Sequence, residues 1–209
     1  MPQRFITFEG GEGVGKSTQL RLLAATLRTR GHMVVETREP GGCPAAEQVR
    51  TLLVTGSADR WDAVAEAFLV SAARRMHVEQ VIRPALERGA WVLCDRFTDS
   101  TIVYQGLAGG VGAADLQTLN RLATNGLVPD LTLVFTLSVD RALERATRRA
   151  AASGSAEDRF EGKGRAFHDA LARGFDAVIQ AEPNRCRRID ADGSVETVAH
   201  RVLAAVDAA

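Results

Sequence analysis

Gly10-Gly11-Glu12-Gly13-Val14-Gly15-Lys16-Ser17 decides how the rest of this 209-residue chain is read. The stretch matches the phosphate-binding pattern G-x-x-x-x-G-K-[ST]. Ahead of it lies Phe5-Ile6-Thr7-Phe8, short, apolar and β-favouring. Behind it Leu20, Leu23, Ala24 and Leu27 recur at helical spacing up to Arg30 and Gly31. Strand, loop and helix in this order turn the loop amides inward and add the positive end of the helix, which makes a cradle for polyphosphate. Glycine suits such a loop because its φ is unrestricted and no Cβ blocks a phosphate. Lys16 would reach the β- and γ-phosphates, and the Ser17 hydroxyl would hold a magnesium ion. A chance glycine-rich turn is the competing reading, and both flanking elements argue against it. Composition agrees. Of 26 basic residues only Lys16 and Lys163 are lysine, so lysine stands where a slim, single-point cation must fit among phosphates.

Length suits one well-buried domain spanning 1–209. Formal net charge is zero and the pI is about 6.9, so no global field favours nucleic acid or an acidic membrane. Cys43, Cys94 and Cys186 are odd in number and far apart, which suggests neither a disulfide framework nor a zinc site. Met1-Pro2-Gln3-Arg4 leads into too short an apolar run for a signal peptide, and no stretch approaches a membrane span. The expectation is a cytoplasmic protein with neither nucleic acid nor membrane as partner.

Along the chain, Met33-Val34-Val35 reads as a second strand running into Thr37-Arg38-Glu39-Pro40-Gly41-Gly42, where regular structure ends. Pro44 opens a helix, and Gly56 to Asp59 is a turn. A long helical pattern covers Trp61 to Leu86, disturbed near Pro84. Trp91-Val92-Leu93-Cys94 is a buried parallel strand closed by Asp95-Arg96. Gly106 to Gly112 reads as a loop, and the helix carrying Leu116, Leu119 and Leu122 is capped by Asn125-Gly126. Leu131–Leu137 is a strand, Val139–Ala152 and Arg165–Ala181 are helices, Ile189 marks a last strand, and Ser194 caps a last helix. Strands alternating with helices predict an α/β fold: a P-loop NTPase three-layer arrangement with a mainly parallel five-stranded sheet flanked by helices. Ligands of such sheets bind beyond the carboxyl ends of the strands, which gathers Gly10–Ser17, Arg38–Gly42 and Asp95–Arg96 into one cleft.

The phosphate loop alone does not separate a switch, a motor and a kinase. The guanine-reading N-K-x-D stretch of a switch is missing, and the third strand ends in an acid followed by a base, Asp95-Arg96. That pair suits a small phosphotransferase, whose acceptor carries a negative phosphate that a guanidinium fork would hold in line with the donor. Arg38, at a neighbouring strand end, would join Arg96. The plain alternative for Arg96 is a surface ion pair with Asp95.

Thr37-Arg38-Glu39-Pro40-Gly41-Gly42, Asp95-Arg96-Phe97-Thr98-Asp99-Ser100-Thr101, Tyr104-Gln105-Gly106 and Pro129-Asp130-Leu131-Thr132 resemble thymidylate kinase, in the family's order and from about Arg4 to Val206. The resemblance implies transfer of the ATP γ-phosphate to dTMP with magnesium, toward dTTP synthesis, by a homodimer. It implies an ATP site at Gly10, Gly11, Glu12, Gly13, Val14, Gly15, Lys16, Ser17 and Thr18. Arg38 and Arg96 would bind the dTMP phosphate, and Glu39-Pro40 would form a cis turn aiming Arg38. Glu12 would contact the sugar hydroxyl, and Asp95 would be the acid near magnesium and the attacking phosphate. Arg74 would read thymine, Thr101 and Gln105 would line the base, and Tyr104 would lie under the deoxyribose.

Val70 departs from the family pattern, which has phenylalanine stacked on the base at that position; valine covers a ring by apolar contact only, a loss of roughly 1 kcal/mol. Phe68 lies about 200° away round a helix and does not replace it. Members without a P-loop arginine resemble the bacterial subclass, in which a lid, here about 149–163, supplies the transition-state cation. Arg149 is the first candidate and Arg148 the second. The competing view of these arginines, with Arg145 and Arg159, is a solvated charged face. Two other readings stay open: a kinase of another monophosphate such as dUMP, or a nucleotide-binding regulatory module with no acceptor.

Overall fold

Phe5, Ile6 and Phe8 alternate between two buried faces of a central strand, and this alternation sets the layers. The computed structural model describes residues 4–57, 59–153 and 164–209, and 149–153 as helical backbone only. The elements run β1 (Phe5–Glu9), α1 (Lys16–Thr29), β2 (Val34–Arg38), α2 (Pro44–Val54), α3 (Ala63–His77), α4 (Arg83–Glu87), β3 (Trp91–Asp95), α5 (Thr98–Thr101), α6 (Ala113–Thr124), β4 (Leu131–Thr136), α7 (Val139–Ser153), α8 (Arg165–Ala181), β5 (Cys186–Asp190) and α9 (Val195–Asp207). The five-stranded sheet has the order β2-β3-β1-β4-β5, and each pairing is parallel.

On one face, Leu20, Leu23 and Leu27 of α1 and Val198 and Val202 of α9 cover Ile6, Phe8, Leu93 and Leu133. On the other, Val78, Ile82 and Phe97 cover Phe5, Val92 and Cys94, while Val103, Leu171 and Phe175 cover Val134. Each large side chain so buried stabilises the fold by about 2 kcal/mol relative to exposure. The result is helix, sheet, helix, as the alternating pattern predicts. Because the strands are parallel, the loops that leave β1, β2 and β3 share the carboxyl edge.

The structure redraws some boundaries. β2 continues to Arg38 because Thr37 and Arg38 pair with Cys94 and Asp95, whereas Met33 stays outside and exposed. The pattern read from Trp61 starts at Ala63, where the Asp62 carboxylate caps the helix by accepting from Ala65 N at 2.7 Å. Its disturbance is a π-turn at Val78–Ile82, just ahead of Pro84, whose ring cannot fit a regular turn. Gly106 is not a loop glycine. It ends a second helical segment, α5 continued by a π-turn at Ile102–Leu107, and a Cβ on it would come 2.8 Å from Leu116 Cδ1 of α6. Asn125 in the left-handed region ends α6, and Ser194 caps α9 by accepting from Thr197 N. No helix among the described residues is long and apolar enough to cross a membrane. All three cysteines are free and buried.

Polar ties fix the sheet to α5. Asp99, fully buried, takes both ends of the Arg185 guanidinium at 2.7 and 2.8 Å. Arg185 also donates to Thr132 of β4, which bonds Thr7 of β1 at 2.8 Å. Removing one partner of such a pair strands a buried charge. Arg185→Ala is therefore expected to lower unfolding free energy by about 3 kcal/mol. Urea denaturation near neutral pH measures this, and a change below about 0.5 kcal/mol would show that Asp99 does not depend on the pair.

Candidate functional site

The loop after β1 is shaped by what lies behind it. Gly13 has φ +71°, and a Cβ there would come 1.9 Å from the Ala142 carbonyl oxygen of α7, so no other residue fits. Val14 is buried in the sheet core, and Gly15, with φ +92°, turns the chain into α1. Lys16 is the first residue of α1 and is buried; its Nζ donates to Gly10 O at 3.1 Å and Gly11 O at 2.7 Å. Burial, then the like charge of Arg96, lowers its pKa to about 8 against the pull of Asp95 and Glu12. Gly10–Thr18 thus surrounds a folded-back ammonium whose hydrogen-bond partners among the described residues are carbonyl oxygens. An anion would be a better partner.

Ser17 Oγ donates to Asp95 Oδ2 at 2.5 Å, joining the start of α1 to the end of β3. A hydroxyl and a carboxylate are hard oxygen donors and suit magnesium. Among the described residues no cluster of three or more His, Cys, Asp or Glu is set to hold a metal.

Next to Asp95, Arg96 sits at φ 71°, a left-handed conformation costly for a side chain with a Cβ. Several bonds hold the kink. Arg96 N donates to Phe8 O at 2.9 Å, Cys94 Sγ donates to Arg96 O at 3.1 Å, and Phe97 N donates to Glu9 Oε1 at 2.8 Å. The Arg96 guanidinium then reaches back to the phosphate loop, donating to Glu12 Oε1 at 2.7 Å and Gly10 O at 3.0 Å. It lies over the Tyr104 ring at 4.9 Å, and Tyr104 OH donates to Glu12 at 3.1 Å. Burial would lower the Arg96 pKa, but Glu12 and the other nearby acids outweigh it and raise the value. Burial also pushes the Tyr104 phenol well up, so it stays protonated. Arg96 is a permanent cation held by a displaceable carboxylate.

Arg38 points elsewhere. Its side chain is 52% exposed and donates to Glu47 Oε2 at 3.0 Å, while Glu47 also accepts from Gly42 N at 2.9 Å. Burial raises the Glu47 pKa, but these two donors more than offset it, and the value is lowered. No hydrogen bond joins Arg38 to Arg96 among the described residues; both lie at the same sheet edge, each with its own carboxylate. Glu39-Pro40 is cis, as the resemblance implies. Behind it, Glu39 accepts from Arg74 Nε at 2.7 Å and bonds His77 Nδ1 at 3.0 Å, and His77 bonds Thr37 at 2.6 Å.

Arg74 is almost wholly buried. Besides Glu39 it donates to Asn120 at 2.8 Å, Phe97 O at 2.9 Å and Thr101 Oγ1 at 3.0 Å. These four bonds leave one N–H of its five-donor fork uncommitted among the described residues. Gln105 Nε2 donates to Glu66 Oε2 at 2.8 Å, both residues being buried. Val70 is half-buried on the same α3 face as Arg74, whereas Phe68 is 59% exposed, in keeping with its angular offset. Of the two lid candidates, Arg148 pairs with Glu144 one turn back and is exposed, the solvated pattern weighed for it. The Arg149 side chain, Arg159 and 154–163 lie outside the described residues. Beside the phosphate loop a cavity of about 300 Å³ opens between α7, α8 and the ends of β4 and β5, with Glu12 and Ser138 in its wall.

The sequence reading passes over Glu9, Glu47, Glu66, Asn120 and His77. Glu66 carries a usable signal, because 66, 70 and 74 lie at successive i,i+4 positions of one helical face. The Glu47 contacts depend on the loop from Arg38 to Gly42 and the Asn120 contact on the packing of α6 against α3, and neither has a local signature.

The family model for thymidylate kinase matches residues 8–202. The chain is 52% identical to the thymidylate kinase of Rhizorhabdus wittichii over 206 residues, covering 99% of this chain and 98% of that protein. It is 52% identical to the thymidylate kinase of Caulobacter vibrioides over 194 residues, 93% of this chain and 91% of that one. The crystal structure of thymidylate kinase from Ehrlichia chaffeensis superposes with a TM-score of 0.77 at 31% identity, covering 99% of this chain and all of that one.

Glu9 generates a prediction of its own. Burial, then the nearby Asp99, raises its pKa to about 7, partly opposed by the bonds from Ser100 and Phe97. A carboxyl whose folded value lies above its unfolded one stabilises most below the unfolded value, and the contribution is lost as pH rises through the folded one. Between pH 5 and 8 the wild-type chain is expected to lose stability as pH rises, and Glu9→Gln to lose less. Urea titrations across that window check this; parallel slopes for the two proteins would refute it.

Proposed function

The chain belongs to the thymidylate kinase family and phosphorylates dTMP with ATP as donor, and from that premise we propose how this cleft carries out the transfer. The ATP phosphates lie along Gly10–Thr18, with Lys16 turning from the loop carbonyls to the β- and γ-phosphates. Ser17 and Asp95 would hold Mg2+, which would draw negative charge off the transferring group. The dTMP phosphate takes Arg96 from Glu12 and is clamped from the β2 side by Arg38, which Glu39-Pro40 aims. Glu12, released, turns to the sugar hydroxyl, and Tyr104 lies beneath the deoxyribose. Val70, Arg74, Thr101 and Gln105 receive the base. An oxygen of the dTMP phosphate attacks the γ-phosphorus in line, and the bond to the ADP oxygen breaks. A closing cation from Arg149, or failing that Arg148, neutralises the equatorial oxygens. The protein supplies position and charge, which is most of what such a transfer requires.

One observation carries this reading. The segments after β1 and at the end of β3 are tied by three contacts at one sheet edge, Ser17–Asp95, Glu12–Arg96 and Gly10–Arg96, so a triphosphate cradle and a second anion site adjoin. A regulatory module would need no second anion site. Identity of 52% to thymidylate kinases over nearly the full length does not favour that module or a dUMP-directed enzyme.

The homodimer reading draws its support from α3. Val64, Phe68 and Met76 are 50, 59 and 39% exposed and recur with Ala72 every four residues, an apolar stripe that a second copy would cover in a homodimer. A cytoplasmic location accords with three thiols kept free.

An assay coupled to ADP release, with ATP, Mg2+ and a panel of monophosphates, tests the chemistry. Turnover of dTMP should exceed that of CMP at least tenfold, and Arg96→Ala should lower kcat/KM for dTMP about a hundredfold, equal to about 2.7 kcal/mol. Equal turnover of dTMP and CMP would sink thymine selectivity, and a wild-type rate for Arg96→Ala would remove it from the acceptor site. For assembly, light scattering should give twice the chain mass for wild type and the single mass for Phe68→Arg; a wild-type monomer would end the homodimer reading.

A further inference from the structure

Glu66 lies two helical turns from Arg74 on the same face of α3, with Val70 between them, and each end of this stripe grips the segment that follows β3. Arg74 donates to Thr101, and Glu66 accepts from Gln105, four residues further on. The wall around Val70 is thus bounded by two polar rungs, both buried. Side-chain amides can be placed either way round at a site, and only their partners decide the polarity. Here the partner decides. A carboxylate has lone pairs and no hydrogen, so at 2.8 Å it must face the Gln105 NH2 and not its oxygen. Gln105 Oε1 is then turned away from Glu66. No donor among the described residues reaches that oxygen, and it is not among the sealed atoms left without a partner, which are Gln19 Oε1, Ser71 Oγ and Arg83 Nε.

We infer that Glu66 is a positioning residue that sets base selectivity by locking Gln105 with its carbonyl oxygen toward the acceptor base. This rests on the reading that Gln105 lines that base. Thymine offers an N3–H donor between two carbonyl oxygens, whereas cytosine offers N3 as an acceptor beside an amino group. A fixed acceptor at Gln105 beside a spare N–H of Arg74 complements the first edge and opposes the second. A site with fixed polar groups rejects a ligand of opposite polarity because both sides are left unpaired. Glutamine at 66 could accept from Gln105 or donate to it, so the lock would be lost without a change of volume.

Steady-state kinetics with dTMP and dCMP test this. Glu66→Gln should raise the dTMP KM about tenfold with kcat within about twofold, and lower the dTMP-over-dCMP ratio of kcat/KM by about tenfold. Glu66→Asp, which keeps the carboxylate, should preserve that ratio even if it costs stability. In a Gln105→Ala background, Glu66→Gln should change the ratio by less than about twofold, since the effect passes through Gln105. An unchanged ratio in Glu66→Gln, with Gln105→Ala raising the dTMP KM, would overturn the role of Glu66 alone. An unchanged dTMP KM in Gln105→Ala would overturn the placement of Gln105 at the base, and this inference with it.

Discussion

The ion pair between Glu12 and Arg96 is the contact on which the cleft depends. Glu12 belongs to the phosphate loop after β1 and Arg96 to the turn after β3, so this 2.7 Å bond, with those of Arg96 to Gly10 O and of Ser17 to Asp95, joins the two halves of the site. It is costly to make. Arg96 adopts a left-handed backbone, both partners are largely withdrawn from water, and the guanidinium is stacked on Tyr104. The surrounding bonds to Phe8, Glu9, Gly10 and Ser100 leave the turn few alternatives. In the absence of substrate this pair keeps a buried cation satisfied. An incoming phosphate would replace one oxygen anion with another, so binding need not create a charged site from a neutral one.

Much of this was legible in the chain. The loop glycines, Lys16 and Ser17 are consecutive, and their chemistry depends on local spacing. Asp95-Arg96 follows a buried apolar run, so its place at a strand end could be read without knowing its partners. The α5 segment was not readable in that way. Thr98-Asp99-Ser100-Thr101 has the composition of a turn, and it is helical because Asp99 meets Arg185, just ahead of β5, and Ser100 meets Glu9 of β1, contacts from far along the chain. The π-turn after it was equally silent, since its glycine looked like a loop marker and instead admits Leu116. Side-chain networks behave alike: Arg74 was named for the base, but three of its bonds serve Glu39, Asn120 and Phe97.

That division has a physical basis. Motifs survive in sequence when backbone geometry alone dictates the residue, as where a carbonyl leaves no room for a Cβ. Buried acids are dictated by pairing, and the partner may lie anywhere along the chain. Glu9, Glu39, Glu66 and Asp99 are all buried and all bonded, and they tie α3 and α5 to the sheet below. They set the angles at which Arg74, Arg96 and Gln105 are presented. Substituting the residues that would touch substrate, without these acids, would give a cleft with the right groups in the wrong directions.

The lysine content has a further consequence. With only Lys16 and Lys163 in the chain, side-chain amines are nearly absent from it. Burial lowers the Lys16 pKa to about 8, so a larger fraction of its amine is uncharged near neutral pH than in an ordinary lysine. Amine-directed reagents therefore have two side-chain candidates in the sequence, one of them buried at the floor of the phosphate cradle. A single mass-spectrometric peptide carrying that modification would report whether the cradle is filled, without any engineered label.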